Sequence, residues 1–146
     1  DHDVKLDDKP VELEGKTVGE AILEPTKIYV KSVLPLIRRG LVDGVSHITG
    51  GGLIENLPRM YSDDLQAEIK LGSWDVLPVF RYLQKMGELG EGDMRETFNL
   101  GLGMILAVKP ENVDALVGLL EDENESWYKV GQLKKRPDGE EKIIFR

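Results

Sequence analysis

VDGVSHITGGGLIENLPRM, residues 42–60, is the stretch on which the reading of this chain turns. Val42 to Ile48 fits a short strand, and Leu53 to Met60 reads as a short helix ended by Pro58. Between them stand Thr49 and three consecutive glycines, Gly50, Gly51 and Gly52. Glycine loses more conformational freedom on folding than any other residue, so a local requirement has to offset that cost. A strand, a glycine turn and a helix start leave unpaired N–H groups and a positive dipole end facing one point. An anion such as phosphate suits that point. A tight strand-to-helix connection with no ligand suits it equally well, and the pattern by itself leaves both readings open.

Working outward, Val18, Ala21 and Ile22 suggest a short helix ending before Glu24-Pro25, because a residue before proline avoids the helical region. Thr26 is then placed to cap a second helix carrying Val30, Val33, Leu34, Ile37 and Leu41, with Gly40 as its stop. Pro35 lies inside that pattern and is expected to kink the helix or end it early. Leu65, Ala67, Ile69 and Leu71 alternate with Gln66, Glu68 and Lys70, the period of a half-buried strand. Pro78 opens a helix with Val79, Phe80, Leu83 and Met86 inward and Gly87 beyond its end. Asp93 to Phe98 adds a short helical turn.

Gly101 to Val108, GLGMILAV, suits a central strand buried on both faces. Pro110 starts a helix in which Val113, Leu116, Val117 and Leu120 share one face. Trp127 to Leu133 and Lys142 to Phe145 read as strands joined through the turn Pro137-Asp138-Gly139. Strands interleaved with helices point to an α/β or α+β sandwich, with a mixed sheet of about five to six strands and helices packed on it.

Composition narrows the possible functions. The chain has 146 residues, 40% of them apolar, enough for one core. No apolar run approaches a membrane span, and no basic start leads into an apolar leader, so a soluble, cytoplasmic protein is expected. The absence of cysteine excludes disulfides, thiol nucleophiles and cysteine-bound zinc. The net charge is −8, and residues 1–14 hold six acids and two bases, which reads as a flexible acidic arm ahead of a domain over 15–146. A chain this acidic, without a basic stripe, is not expected to bind nucleic acid. Backbone amides can still hold a small anion. Because the sequence opens on Asp1, it is expected to be processed or to be a piece of something longer.

Several motifs fail on context. Gly15-Lys16-Thr17 resembles the end of a P-loop, but Pro10 stands where that motif needs its first glycine. Gly101-Leu102-Gly103 begins like a dinucleotide fingerprint, but Leu106 takes the third glycine's place in a segment that reads as strand. Of the two histidines, His2 falls in the arm, and His47 has no second histidine at helical spacing, so no metal ligands are expected. His47 does stand at a strand end beside the glycine loop. There it can be purely structural, or it can donate to a phosphate or exchange a proton near neutral pH. Arg95-Glu96-Thr97-Phe98-Asn99 is a second polar cluster, which alone reads as a helix end before a core strand.

PTKIYVKSVLPLI at 25–37, HITGGGLIENLPRM at 47–60 and RETFNLGLGM at 95–104, in this order and spacing, resemble the C-terminal domain of the phosphoribosylformylglycinamidine cyclo-ligases, also called aminoimidazole ribonucleotide synthetases. Trp74 with Pro78-Val79-Phe80 and Trp127-Tyr128-Lys129-Val130-Gly131 extend the likeness, which runs from about Leu13 to the C-terminus. The resemblance implies a purine-biosynthesis ligase that turns formylglycinamidine ribonucleotide and ATP into aminoimidazole ribonucleotide, ADP and phosphate. ATP would phosphorylate the formamide oxygen, and an amidine nitrogen would then close the ring, with Mg2+ as the usual helper.

It also implies an N-terminal domain holding most of the ATP and metal contacts and the homodimer interface. This chain is then the C-terminal part, expected to fold but not to catalyse alone. By position, Thr49, Gly50, Gly51 and Gly52 would cradle a phosphate, of substrate or of ATP, and His47 would serve near the formamide. Asn56 and Arg59 would orient or neutralise phosphate, Arg59 having a surface acid as its other possible partner. Thr97 and Asn99 would line the opposite side of the cleft. Selenophosphate synthetase, thiamine-monophosphate kinase and formylglycinamidine synthase share such a two-domain cleft, but the glycine and asparagine motifs favour the cyclo-ligase. The reading from a different class is a stand-alone binding domain without catalysis.

Overall fold

The computed structural model describes residues 3–146, so His2 lies outside the described residues. Its elements are α1 (Val18–Ile22), α2 (Val30–Arg38), β1 (Gly44–His47), α3 (Gly52–Asn56), β2 (Leu65–Ile69), α4 (Pro78–Met86), α5 (Glu91–Thr97), β3 (Met104–Ala107), α6 (Val113–Asp122), β4 (Gly131–Lys135) and β5 (Ile143–Phe145). Short 3-10 turns precede α1 and α6 and follow α3. The α+β class expected from the sequence is the one observed. No helix among the described residues is long and apolar enough to cross a membrane.

The five strands divide between two sheets instead of forming a single one. β1 and β3 make an antiparallel ribbon with His47 opposite Met104 and Gly44 opposite Ala107. β2 is the centre of the second sheet, antiparallel to β4 and parallel to β5. The segment expected as a long central strand is strand only over its last half. Its leading residues are consumed by a turn in which the Gly101 and Leu102 amides both donate to Asn99, to side chain and carbonyl respectively. β3 is covered by packed layers and has one strand neighbour. β4 and β5 are not a hairpin either, because each pairs with β2.

Packing explains this division. Ile48, Leu53, Leu57, Ala67, Ile69, Trp74, Leu102 and Ile105 form the main core between one face of the ribbon, α3 and the second sheet. Leu106, on the ribbon's other face, joins Leu36 of α2 and Leu116 and Leu120 of α6 in a second cluster. Gln66, fully buried in β2, is satisfied by donating its Nε2 to the Glu141 carbonyl. Burial of an amide in mid-sheet is tolerated when its hydrogen bond is made.

Three local expectations need correction. Pro35 does not end α2 early: the helix runs through it to Arg38. Both Pro35 and Lys31, the residue whose carbonyl loses its partner, are exposed, so that carbonyl is on the side of the helix open to solvent. Thr26 does not cap α2, which begins at Val30 after an exposed extended segment with Tyr29 as N-cap. The acidic arm is tied down from Leu6 onward: the Gly19 amide donates to Leu6, the Val18 amide to Asp8, and Leu13 is buried with Val18 and Tyr82. α1 itself carries a capping box between Thr17 and Glu20. Hydrogen bonds from the Thr17 backbone and hydroxyl hold the Glu20 carboxyl below the ordinary carboxylate range. The cap is therefore intact at neutral pH and loosens as pH falls through that lowered value.

α3 meets the end of α5 by backbone contact. A Cβ on Gly52, whose φ is +55°, would collide with the Arg95 carbonyl. Gly50 faces open space with an ordinary φ. Gly52→Ala should thus cost about 3 kcal/mol or more, whereas Gly50→Ala should stay within about 0.5 kcal/mol. Urea unfolding of both variants checks this, and equal midpoints would refute the assignment of Gly52 to packing.

Candidate functional site

β1 hands the chain to the glycine loop, and one side chain organises that loop. Asn56, at the end of α3, is 2% exposed. Its Nδ2 donates to the carbonyls of Thr49 (3.4 Å), Gly50 (3.0 Å) and Gly52 (2.8 Å). Its Oδ1 accepts from the Arg59 guanidinium at 3.1 Å, and its carbonyl accepts from the buried Ser46 hydroxyl at 2.9 Å. The loop is closed by the Gly52 amide on the Thr49 carbonyl, with Gly51 at φ +89°. With the carbonyls held by Asn56, the amides of Thr49, Gly50 and Gly51 are left without an acceptor among the described residues.

Two features depart from a bare anion cradle. The Glu55 carboxylate folds over the loop, so that a Cβ on Gly51 would fall on it. Arg59, the nearby cation, is held by Asn56 and not by a surface acid. Asn56, expected to orient or neutralise phosphate, turns its amide to the loop's carbonyls and its Oδ1 to Arg59.

His47 is exposed, on the face of β1 opposite the buried Ser46. Tyr29 stands edge-on to it, ring centroids 6.0 Å apart at 64°. Asn99 joins the cluster from the far side of the ribbon: its Nδ2 donates to the Ile48 carbonyl at 3.5 Å and its Oδ1 accepts from Gly101. Thr97 is exposed at the end of α5, whose backbone abuts Gly52. The structure thus gathers His47, the loop 49–52, Asn56, Arg59 and Asn99 at one corner, with Thr97 at its rim. Arg95 points elsewhere, pairing with Glu91 and lying 5.1 Å over the Phe145 ring.

Lys16 of the discounted P-loop likeness pairs with Glu24, and Thr17 spends its hydroxyl on the cap of α1. Tyr29 was missed as a site residue. The available signal was its place within PTKIYVKSVLPLI, but its contact with His47 is tertiary and has no sequence period.

A family model described as "AIR synthase related protein, C-terminal domain" matches residues 2–144. The chain belongs to this family. Among similar relatives, one from Lactobacillus acidophilus is 58% identical over 145 residues, covering 99% of this chain and 42% of the relative. One from Lactobacillus helveticus is 55% identical over the same length, again 42% of the relative. A third, from Limosilactobacillus fermentum, is 58% identical over 146 residues. All three carry the name phosphoribosylformylglycinamidine cyclo-ligase. The chain spans about two fifths of the length of these curated relatives. The family match starts within the acidic segment, in keeping with the contacts that tie residues 6–14 to the body.

Asn56→Ala removes the buried amide whose two N–H groups are shared among three loop carbonyls and should cost about 1–3 kcal/mol. Asn56→Asp should cost more at neutral pH, because a carboxylate faces those same carbonyls. Its deficit relative to the parent should shrink on acidification, as protonation is favoured in the folded state. Denaturant titration across pH, with amide exchange at residues 49–52, measures both effects.

Proposed function

We propose that this chain is the C-terminal part of an ATP-dependent cyclo-ligase, and that its glycine loop binds a phosphate during ring closure of formylglycinamidine ribonucleotide to aminoimidazole ribonucleotide in purine biosynthesis. The observation that carries the reading is the Asn56 tie. It occupies the loop's carbonyls and leaves the amides of 49–51 for an anion. The names of the relatives supply the reaction.

In this reading the amides of Thr49, Gly50 and Gly51 hold the phosphate of substrate or nucleotide. Gly52, expected to join them, spends its amide on the Thr49 carbonyl and packs against Arg95, and Asn56 and Arg59 keep the loop in shape. His47, exposed at the end of β1, donates a hydrogen bond or exchanges a proton near the reacting formamide. Asn99 and Thr97 bound the other side. ATP supplies the phosphoryl group that makes the formamide oxygen a leaving group. Phosphoryl transfer depends chiefly on positioning and charge neutralisation, which is what a fixed amide cradle contributes.

Magnesium is a different matter: no three Asp, Glu or His side chains converge among the described residues. Its binding falls to the rest of the polypeptide in this reading, as do most ATP contacts and a homodimer interface. Exposed apolar side chains at Leu23 and Ile28, 78% and 80% accessible, support a surface made to meet more protein. A cytoplasmic location goes with the same reading.

The 146 residues alone should bind inorganic phosphate, seen as shifts of the 49–52 amides by NMR, yet give no turnover in a coupled assay of ATP hydrolysis and ring closure. Gly50→Val should abolish that binding with the circular dichroism unchanged, because Gly50 is unstrained and faces open space. Retained binding would refute the cradle. Glu55→Gln removes the carboxylate leaning over Gly51 and should tighten phosphate by about two- to five-fold at low salt.

A further inference from the structure

The corner holding His47 contains a second polar group that the proposed reaction leaves unused. Tyr29 reaches His47 from the residue preceding α2, and its hydroxyl fills the space above Gly103, where a Cβ would collide with it. Gly103 is at the same ribbon end: its carbonyl accepts the Ile48 amide at 2.9 Å, and the next residue, Met104, lies opposite His47. A phenylalanine at position 29 would satisfy packing against His47. The missing side chain at Gly103 makes room for the hydroxyl itself.

The hydrogen bonds of this corner run through backbone carbonyls, Tyr29's from the Ser32 hydroxyl at 3.3 Å and Ile48's from Asn99 at 3.5 Å. They leave the phenol and the imidazole for a guest. The cation beside the phenol is itself paired. The Lys27 ammonium, 6.0 Å from the Tyr29 ring centre, is ion-paired with Glu125. Burial also holds the Tyr29 phenol above the ordinary tyrosine range, so it is a neutral donor and acceptor. Such a locus suits a neutral hydrogen-bonding group better than a second anion. Gly50 is three positions beyond His47, a reach of at most about 10 Å, so a ligand the size of a sugar phosphate can touch both.

We propose that the Tyr29 hydroxyl and the His47 imidazole together hold the neutral, hydroxyl-bearing sugar portion of a phosphorylated ligand whose phosphate lies on the glycine loop. This rests on the cradle reading above and adds a second contact region to it. Tyr29 is thereby a ligand-binding residue, and Gly103 a positioning residue that acts through it.

The test compares two probes, inorganic phosphate and ribose 5-phosphate, titrated into the labelled chain. Signals are followed at the 49–52 amides, the Tyr29 ring and the His47 ring. Both probes should shift the loop, and only ribose 5-phosphate should shift Tyr29 and His47. Tyr29→Phe should weaken ribose 5-phosphate by about three- to ten-fold and leave inorganic phosphate unchanged. Gly103→Ala, which displaces the hydroxyl, should reproduce that selective loss. If phosphate shifts the loop but ribose 5-phosphate binds no better and Tyr29→Phe changes nothing, the sugar contact is wrong and the cradle stands. If ribose 5-phosphate shifts Tyr29 and His47 while neither probe shifts the loop, the cradle is wrong and the sugar contact stands. Silence at both places with both probes overturns both.

Discussion

A buried carboxamide governs this domain's most unusual feature. Asn56 is the last residue of α3, yet its Nδ2 reaches back to three carbonyls of the loop that begins that helix. Its own carbonyl is bonded to Ser46 of β1, and its Oδ1 to Arg59. Strand, loop, helix and the turn beyond are thus referred to one residue. Each such bond is worth only about 1 kcal/mol net. The arrangement is specific because one half-turn of backbone has to present three carbonyls to a single buried amide. It also leaves peptide N–H groups free on a chain of net charge −8, with the Glu55 carboxylate as the acid that leans over them.

The β1–β3 ribbon turns this local order into a two-sided site. Alternation along β1 sends Ser46 inward toward Asn56 and His47 to the opposite face. Residues from distant parts of the chain then complete each side. Asn99 closes one end by bonding Ile48, and Tyr29 comes from the other direction against His47 and Gly103. The PTKIY, HITGGG and TFNLGLG segments are far apart in sequence and converge within one corner.

What could be read from the sequence divides along a physical line. Period and punctuation report on a segment's own burial, so α1, α4, α5, α6 and the place of β2 were legible, although the expected alternation of β2 fails at Gln66, which is buried, and at Leu71, which is exposed beyond the strand's end. Partner choice is not written in a period. The apolar GLGMILAV run is covered by helices and a second sheet, and burial from those layers looks the same in sequence as burial between strands. β4 and β5 have the marks of a hairpin, but each finds its hydrogen bonds on β2. Pro35 passed as a helix breaker because sequence does not say which side of a helix faces water. The glycine loop was legible as a place, and Thr49 to Gly52, Asn56 and Asn99 do gather there. That Asn56 faces carbonyls, that Glu55 leans over Gly51 and that Tyr29 meets His47 are tertiary facts.

β2 carries a kinetic consequence. The Gln66 side chain is matched by Glu141, 75 positions later, and both neighbours of β2 come from beyond residue 130. During synthesis, Ala67 and Ile69 emerge long before either flanking strand exists. Pairings of such high sequence separation form slowly, since the entropy of closing the intervening chain is lost before contacts compensate for it. The second sheet therefore cannot close before residues 131–145 have been made. Until it does, β2 is an apolar ribbon with two open edges, and a nascent chain stalled at that stage would be prone to stick to its neighbours.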